Sequence, residues 1–161
     1  MLFIHEVHTV RGRAEDEFEA AFRDGWMPTL GAGDDARLLW YTNHAHGSGP
    51  AYTVVTVTAV RDGPAWERLA LRIQKGDLRQ WMRELDELRH EVEAKVLVPL
   101  PWSPLPDVAF DEVPADGREH ELTVYMEDRR SGHKPMAHRR VGQPRRRRRS
   151  TWGARRPKLS T

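Results

Sequence analysis

Glu6 and His8 are the two side chains in this sequence whose types and spacing could do chemistry together. They lie in LFIHEVHTV, Leu2–Val10, where alternation puts Phe3, His5, Val7 and Thr9 on one side of a strand and Ile4, Glu6, His8 and Val10 on the other. Residues at i and i+2 on a strand stand roughly 6.5–7 Å apart, so a carboxylate and an imidazole there can converge on one small polar group. A neighbouring carboxylate favours the imidazolium and burial opposes it. His8 is therefore expected to be poised to take a proton from an acidic phenol or enol. Trp40 and Tyr52 are the candidate flat apolar walls of the same pocket. The competing role for the pair is structural, a partly buried His–Glu contact holding the strand or a dimer interface.

Other combinations offer less. His44 and His46 share the i,i+2 spacing of two metal ligands but adjoin Gly47 in a loop, and no third ligand is identifiable, so no metal site is assigned. His90, at the expected end of a helix, fits an interaction with the terminal carbonyls. Cysteine is absent, which excludes disulfides, thiolate nucleophiles and Cys-based metal sites. There is no glycine-rich phosphate loop, no G-x-S-x-G and no HExxH, and no cofactor is expected.

The elements that must position the pair follow from periodicity. Arg11-Gly12-Arg13 turns the chain after the first strand, and Ala14, Phe18, Ala21, Phe22 and Trp26 then recur at helical spacing until Pro28 and the Gly31–Asp35 stretch end the helix in a loop. Leu38–Thr42 reads as a strand in which Leu38 and Trp40 oppose Leu39 and Tyr41. Residues 52–60, YTVVTVTAV, form the strongest strand signal, paired antiparallel to it. Asp62-Gly63-Pro64 starts a helix, Gly76-Asp77 breaks and recaps it, and Leu78, Trp81, Met82, Leu85, Leu88 and Val92 continue at helical spacing. Ala94, Val96 and Val98 alternate as a fourth strand that Pro99 and Pro101 close. The order is β-α-β-β-α-β, an α+β ferredoxin-like arrangement: a four-stranded antiparallel sheet with helices on one face. Neither face of residues 52–60 is polar, so something must cover the face away from the helices, and a second subunit is the expected cover.

This order, with His8-Thr9-Val10 ending the first strand before a short basic turn and a Glu-rich helix, the Leu39-Trp40-Tyr41 strand and the late Trp81 helix, resembles the dimeric α+β barrel superfamily. Within it, the NIPSNAP-like and antibiotic-biosynthesis-monooxygenase-like domains are the most similar in pattern, over residues 1–102. The resemblance implies a dimeric α+β barrel. It also implies a function drawn from cofactor-free oxygenases of polycyclic or quinol substrates, haem-handling proteins and members with no known reaction. Glu6 stands where NIPSNAP-like sequences often carry arginine. The expected function is a small homodimer binding an apolar or aromatic molecule, as a cofactor-free oxygenase; the alternatives are a non-catalytic haem or hydrophobic-ligand carrier and a nucleic-acid-associated protein.

The nucleic-acid alternative comes from the far end of the chain. Every one of the 24 Asp and Glu lies before residue 129, as do 13 of the 26 Lys and Arg, so residues 1–128 carry −11 and 129–161 carry +13. Residues 103–128 are acidic and Pro-rich, expected as a linker or an arm lying across a neighbour, with ELTVYM as one extra strand where a truncated second repeat would begin. Residues 129–161, with five consecutive arginines and little apolar content, are expected to be disordered and could contact nucleic acid by phosphate neutralisation. An abrupt switch to arginine after residue 128 also fits a shifted reading frame in GC-rich DNA. No stretch reaches the roughly 20 apolar residues of a membrane span and no leader pattern opens the chain, so a cytoplasmic location is expected.

Overall fold

A computed structural model describes residues 1–45 and 47–117. His46, the ELTVYM stretch and the basic segment 129–161 lie outside the described residues. The described residues fall in one compact unit, Met1–Glu121.

The strands are β1 (Leu2–Val10), β2 (Ala36–Asn43), β3 (Thr53–Val60) and β4 (Arg89–Leu97), paired antiparallel in the order β2-β3-β1-β4. The helices are α1 (Glu15–Ala20), continuing through a π segment (Ala21–Trp26) into α2 (Met27–Gly31), then α3 (Gly63–Lys75) and α4 (Arg79–Leu88). This is the expected α+β ferredoxin-like βαββαβ order. Asp62 caps α3, its Oδ1 accepting from the Ala65 backbone N–H at 2.8 Å, and Gly76 ends it.

Three local expectations are corrected. Pro28 does not end the first helix: the π segment closes at Trp26 and a fresh α turn begins at Met27, so the missing proline N–H falls where no intrahelical partner is needed. The fourth strand starts at Arg89 rather than near residue 93, so His90 and Val92 belong to β4 and not to a helix. With no Gly or Pro to mark the stop, the helix ends because Arg89 turns extended (φ −121°, ψ 156°) and the Leu88 carbonyl accepts from Arg11 N–H. In β2 a bulge between Leu38 and Trp40 inserts one residue, so Leu38 and Tyr41 share the helix face while Leu39 and Trp40 turn to the other.

The main core lies between sheet and helices, where Val10, Phe18, Phe22, Trp26, Leu30, Val54, Val60, Leu69, Leu78 and Leu85 are all buried. On the opposite face Phe3 and Ala59 are covered by the chain's own Phe110, with Leu105, Val108, Met1, Leu39 and Val57 packed around them. The stretch expected as a linker or an arm across a neighbour thus crosses its own sheet over this part of the face. Two guanidinium groups lie over the Phe110 ring, Arg37 at 5.4 Å and Arg61 at 4.8 Å from its centroid, and the Phe110 carbonyl accepts from Arg37 Nε at 3.3 Å. Beyond it Ala115 packs against Gly31.

Candidate functional site

The β1 alternation puts Glu6 and His8 on the helix face, and the antiparallel register sets Thr56 of β3 beside Glu6, with Val54 beside His8. On the other side β4 contributes Ala94 beside Glu6, Val92 beside His8, and Arg89 beside Val10. His8 is fully buried, its ring 5.3 Å from Phe18 and 5.7 Å from Phe22, centroid to centroid.

Both ring nitrogens of His8 are occupied. Arg89 Nη1 lies 2.9 Å from Nδ1, and Nε2 lies 3.1 Å from Thr56 Oγ1. A guanidinium only donates, so Nδ1 is the acceptor and the imidazole proton sits on Nε2, directed at Thr56. The Thr56 hydroxyl, receiving that proton's hydrogen bond, donates its own to Glu6 Oε2 at 3.3 Å. The result is one directed chain: Arg89 to His8, His8 to Thr56, Thr56 to Glu6.

Arg89 is buried, held by Asp86 through Nε at 3.0 Å and through Nη2, with Nη2 also 3.2 Å from Met82 Sδ. Burial, with the Arg89 charge acting in the same direction, lowers the His8 pKa to about 3. His8 is therefore a neutral link whose acceptor nitrogen is already taken. Burial raises the Glu6 carboxyl above its ordinary value, while Arg89 and the Thr56 hydrogen bond pull the other way. A carboxylate moved toward neutrality is a better base at physiological pH than an ordinary one.

Glu6 remains half-buried, and Thr56 is the one hydrogen-bond donor to it among the described residues. Beside it, Val92, Ala94 and Val96 are exposed on the same face, so the helix layer stops short of the β4 edge and leaves the carboxylate approachable from there. Tyr41, on the same face further along, packs on Phe22 at 5.3 Å and Phe18 at 6.5 Å. Its buried hydroxyl has no hydrogen-bond partner among the described residues.

The other two expected site residues are elsewhere. Trp40 is on the opposite face, where it lines a cleft of about 430 Å³ with Leu39, Leu105, Val108, Glu112 and Pro114. The β2 bulge is what sends it there. Tyr52 sits ahead of β3 with φ 58° and its ring over Gly12, at the far end of β1. Neither walls the Glu6–His8 pair. Among the described residues no group of three His, Asp or Glu is placed to hold a metal. No helix among them is long and apolar enough to cross a membrane.

Thr56 and Arg89 were missed from sequence. Thr56 had a signal, one of two hydroxyls, with Thr58, on the Val54–Val60 face of the strongest strand. Arg89 had none, because LRHEVEA reads on as helix.

No family model matches the chain, and no curated protein does. Solved structures do. A NIPSNAP family protein from Agrobacterium tumefaciens aligns with TM-score 0.51 at 18% identity, covering 65% of this chain and 99% of that one. A NIPSNAP domain protein from Burkholderia xenovorans gives 0.52 at 19%, with the same coverage. A second A. tumefaciens NIPSNAP family protein, described as of unknown function, gives 0.51 at 18%, covering 65% and 93%. The antiparallel sheet order, the helices on one face and these superpositions together give the chain the α+β fold of NIPSNAP-family proteins.

Proposed function

We propose that the chain binds a small apolar or aromatic molecule bearing an acidic hydroxyl, a phenol or enol, on the helix face beside β4, with Glu6 as the proton acceptor. The observation that carries this is the Glu6 carboxylate itself: half-buried, raised in pKa by burial, fixed through one oxygen by Thr56, and bordered by the exposed apolar side chains of Val92, Ala94 and Val96. His8 is a positioning residue. It holds Thr56 in the orientation that presents its proton to Glu6, and Arg89 holds His8 in the tautomer that requires. Removing the proton from a bound phenol or enol leaves an electron-rich anion, the species a cofactor-free oxygenase offers to dioxygen. Oxygenation is thus the reaction class the site would serve.

The test uses 4-nitrophenol, whose neutral and anionic forms differ in colour. Absorbance titration of the full chain at neutral pH should give a saturable increase in the anion band above that of free 4-nitrophenol. Glu6→Gln should abolish that increase while leaving the thermal unfolding temperature unchanged or raised, since it removes a desolvated ionisable group. Equal binding and equal spectra for the wild type and Glu6→Gln would overturn the assignment.

A further inference from the structure

The cleft that Trp40 lines lies on the face of the sheet away from Glu6, and the Glu6 site makes no use of it. Its volume of about 430 Å³ is within the range of small-molecule sites, and residues of β2 and of the 105–114 stretch line it. Leu105, Val108 and Val113 supply apolar wall, while Trp40, Asp107 and Glu112 supply an indole and two carboxylates. Trp40 is 43% exposed, so its ring is open to a ligand.

The charges around this cleft are unbalanced. From Pro99 to Gly117 the chain carries four carboxylates, Asp107, Asp111, Glu112 and Asp116, and no lysine or arginine. Asp107 Oδ1 accepts from the Val108 backbone N–H at 2.9 Å, and among the described residues no ion pair involves Asp107 or Glu112. The two cations that meet this segment are engaged at Phe110. Arg37 Nη1 donates to the Gly33 and Ala36 carbonyls at 2.6 and 2.8 Å, Arg61 Nε donates to the Asp34 carbonyl at 3.0 Å, and both guanidinium groups lie over the Phe110 ring. An indole attracts a cation more strongly than a phenyl ring does, yet among the described residues no cation lies over Trp40.

We propose that this cleft binds an organic cation, a quaternary or alkylated ammonium on a small apolar body, with the charged head on the Trp40 ring beside Asp107 and Glu112. The body then lies against Leu105, Val108 and Val113. Each part of the lining selects for one part of that ligand. Two carboxylates repel an anion, and a neutral apolar molecule would gain the walls but nothing from the charges. A bare metal ion needs several converging ligands, and no such group exists among the described residues. An alkylated ammonium is weakly hydrated and has few or no N–H groups to satisfy, so an aromatic face and nearby negative charge are enough to hold it. The site requires no proton transfer and stands apart from the Glu6 reading.

The test compares two probes of the same shape, 4-(hydroxymethyl)phenyltrimethylammonium and its uncharged isostere 4-tert-butylbenzyl alcohol, by isothermal titration calorimetry of the full chain. The cation should bind about tenfold more tightly than the alcohol. High salt should narrow that gap by screening the carboxylates. Trp40→Leu, at an exposed position, should weaken the cation about tenfold and the alcohol less. Asp107→Asn with Glu112→Gln should weaken the cation and leave the alcohol unchanged. Glu6→Gln, on the other face of the sheet, should bind the cation as the wild type does. Equal affinity for the two probes, no binding of the cation, or cation affinity untouched by Trp40→Leu and by the double variant would overturn the proposal. Loss of cation binding in Glu6→Gln would place the cation on the helix face and overturn it as well. Failure of 4-nitrophenol to bind, with cation binding intact, would remove the Glu6 reading and leave this site standing.

Discussion

Arg89 Nη1 and His8 Nδ1 meet at 2.9 Å across 81 residues of sequence, and this contact decides the chemistry of the histidine. It consumes the nitrogen a general base would need and places the proton on Nε2. It also adds a positive charge beside a ring already disfavoured from protonating by burial. The same buried guanidinium lies close enough to Glu6 to oppose the effect of burial there. One positive charge at the start of β4 thus lowers the pKa of both Glu6 and His8, opposing burial at the first and reinforcing it at the second.

The first prediction concerns acid. His8 titrates at about 3 in the fold and near 6.5 when unfolded, so the unfolded chain takes up the proton first as pH falls. Stability from this group is complete above pH 6.5 and lost progressively down to about pH 3, with a limiting slope of about 1.4 kcal/mol per pH unit. Glu6, raised instead of lowered, acts the other way: its ionisation costs stability as pH rises above its unfolded value. Urea unfolding at a series of pH values should therefore show a steeper acid loss for the wild type than for His8→Gln. Parallel curves would show that His8 is not held neutral.

The order of strands and helices and the shared face of Glu6 and His8 were legible because they rest on periodicities of 2 and 3.6, which are local. What the site adds was not legible, because it depends on register. Thr56 reaches Glu6 only through the β1–β3 pairing, and no short turn joining those strands announces their alignment. Trp40 was misplaced by a single inserted residue, since one bulge reverses the face of everything beyond it. Arg89 was hidden by a helix that passes into a strand without Gly or Pro.

The second prediction concerns the Tyr41 hydroxyl. Burial, with Glu19 and Glu15 nearby, pushes its pKa above the ordinary tyrosine value, and no described residue accepts or donates to it. Tyr41→Phe keeps the packing on Phe18 and Phe22 and removes an unsatisfied polar atom. The expected outcome is unchanged stability or a gain of up to about 1 kcal/mol by thermal unfolding. A loss above about 1 kcal/mol would mean that the hydroxyl is hydrogen-bonded in solution.

The third prediction concerns the segment across the far face. Phe110 anchors it, in contact with the Arg37 and Arg61 guanidinium groups and packed with Phe3 and Ala59. Phe110→Ala should cost about 3 kcal/mol, the lower end for a buried phenylalanine, because the site is shallow and two of its neighbours are charged. Hydrogen exchange read by mass spectrometry should rise across residues 105–113 and stay unchanged in β1 and β3. Unaltered exchange in 105–113 would mean that Phe110 does not hold the segment down.

The fourth prediction concerns Gly25, in the π segment, where the Trp81 ring of α4 lies directly over the glycine. A Cβ there would overlap Cε3 and Cζ3 of the indole, so the close approach of the two helices depends on the missing side chain. Intrinsic propensity points the other way, since Ala is favoured over Gly in a helix by about 1 kcal/mol. Overpacking by one carbon costs about 1–3 kcal/mol, and Trp81 is packed against the main core, so its ring must shift to make room. The net expectation is a loss of about 1 kcal/mol for Gly25→Ala, measured by urea unfolding. In a Trp81→Ala background the obstacle is gone and only the propensity remains, so the same substitution should be neutral or stabilising, giving a coupling of about 1–2 kcal/mol between the two positions. A Gly25→Ala effect that is the same in both backgrounds would show that the helices are not locked together through this contact.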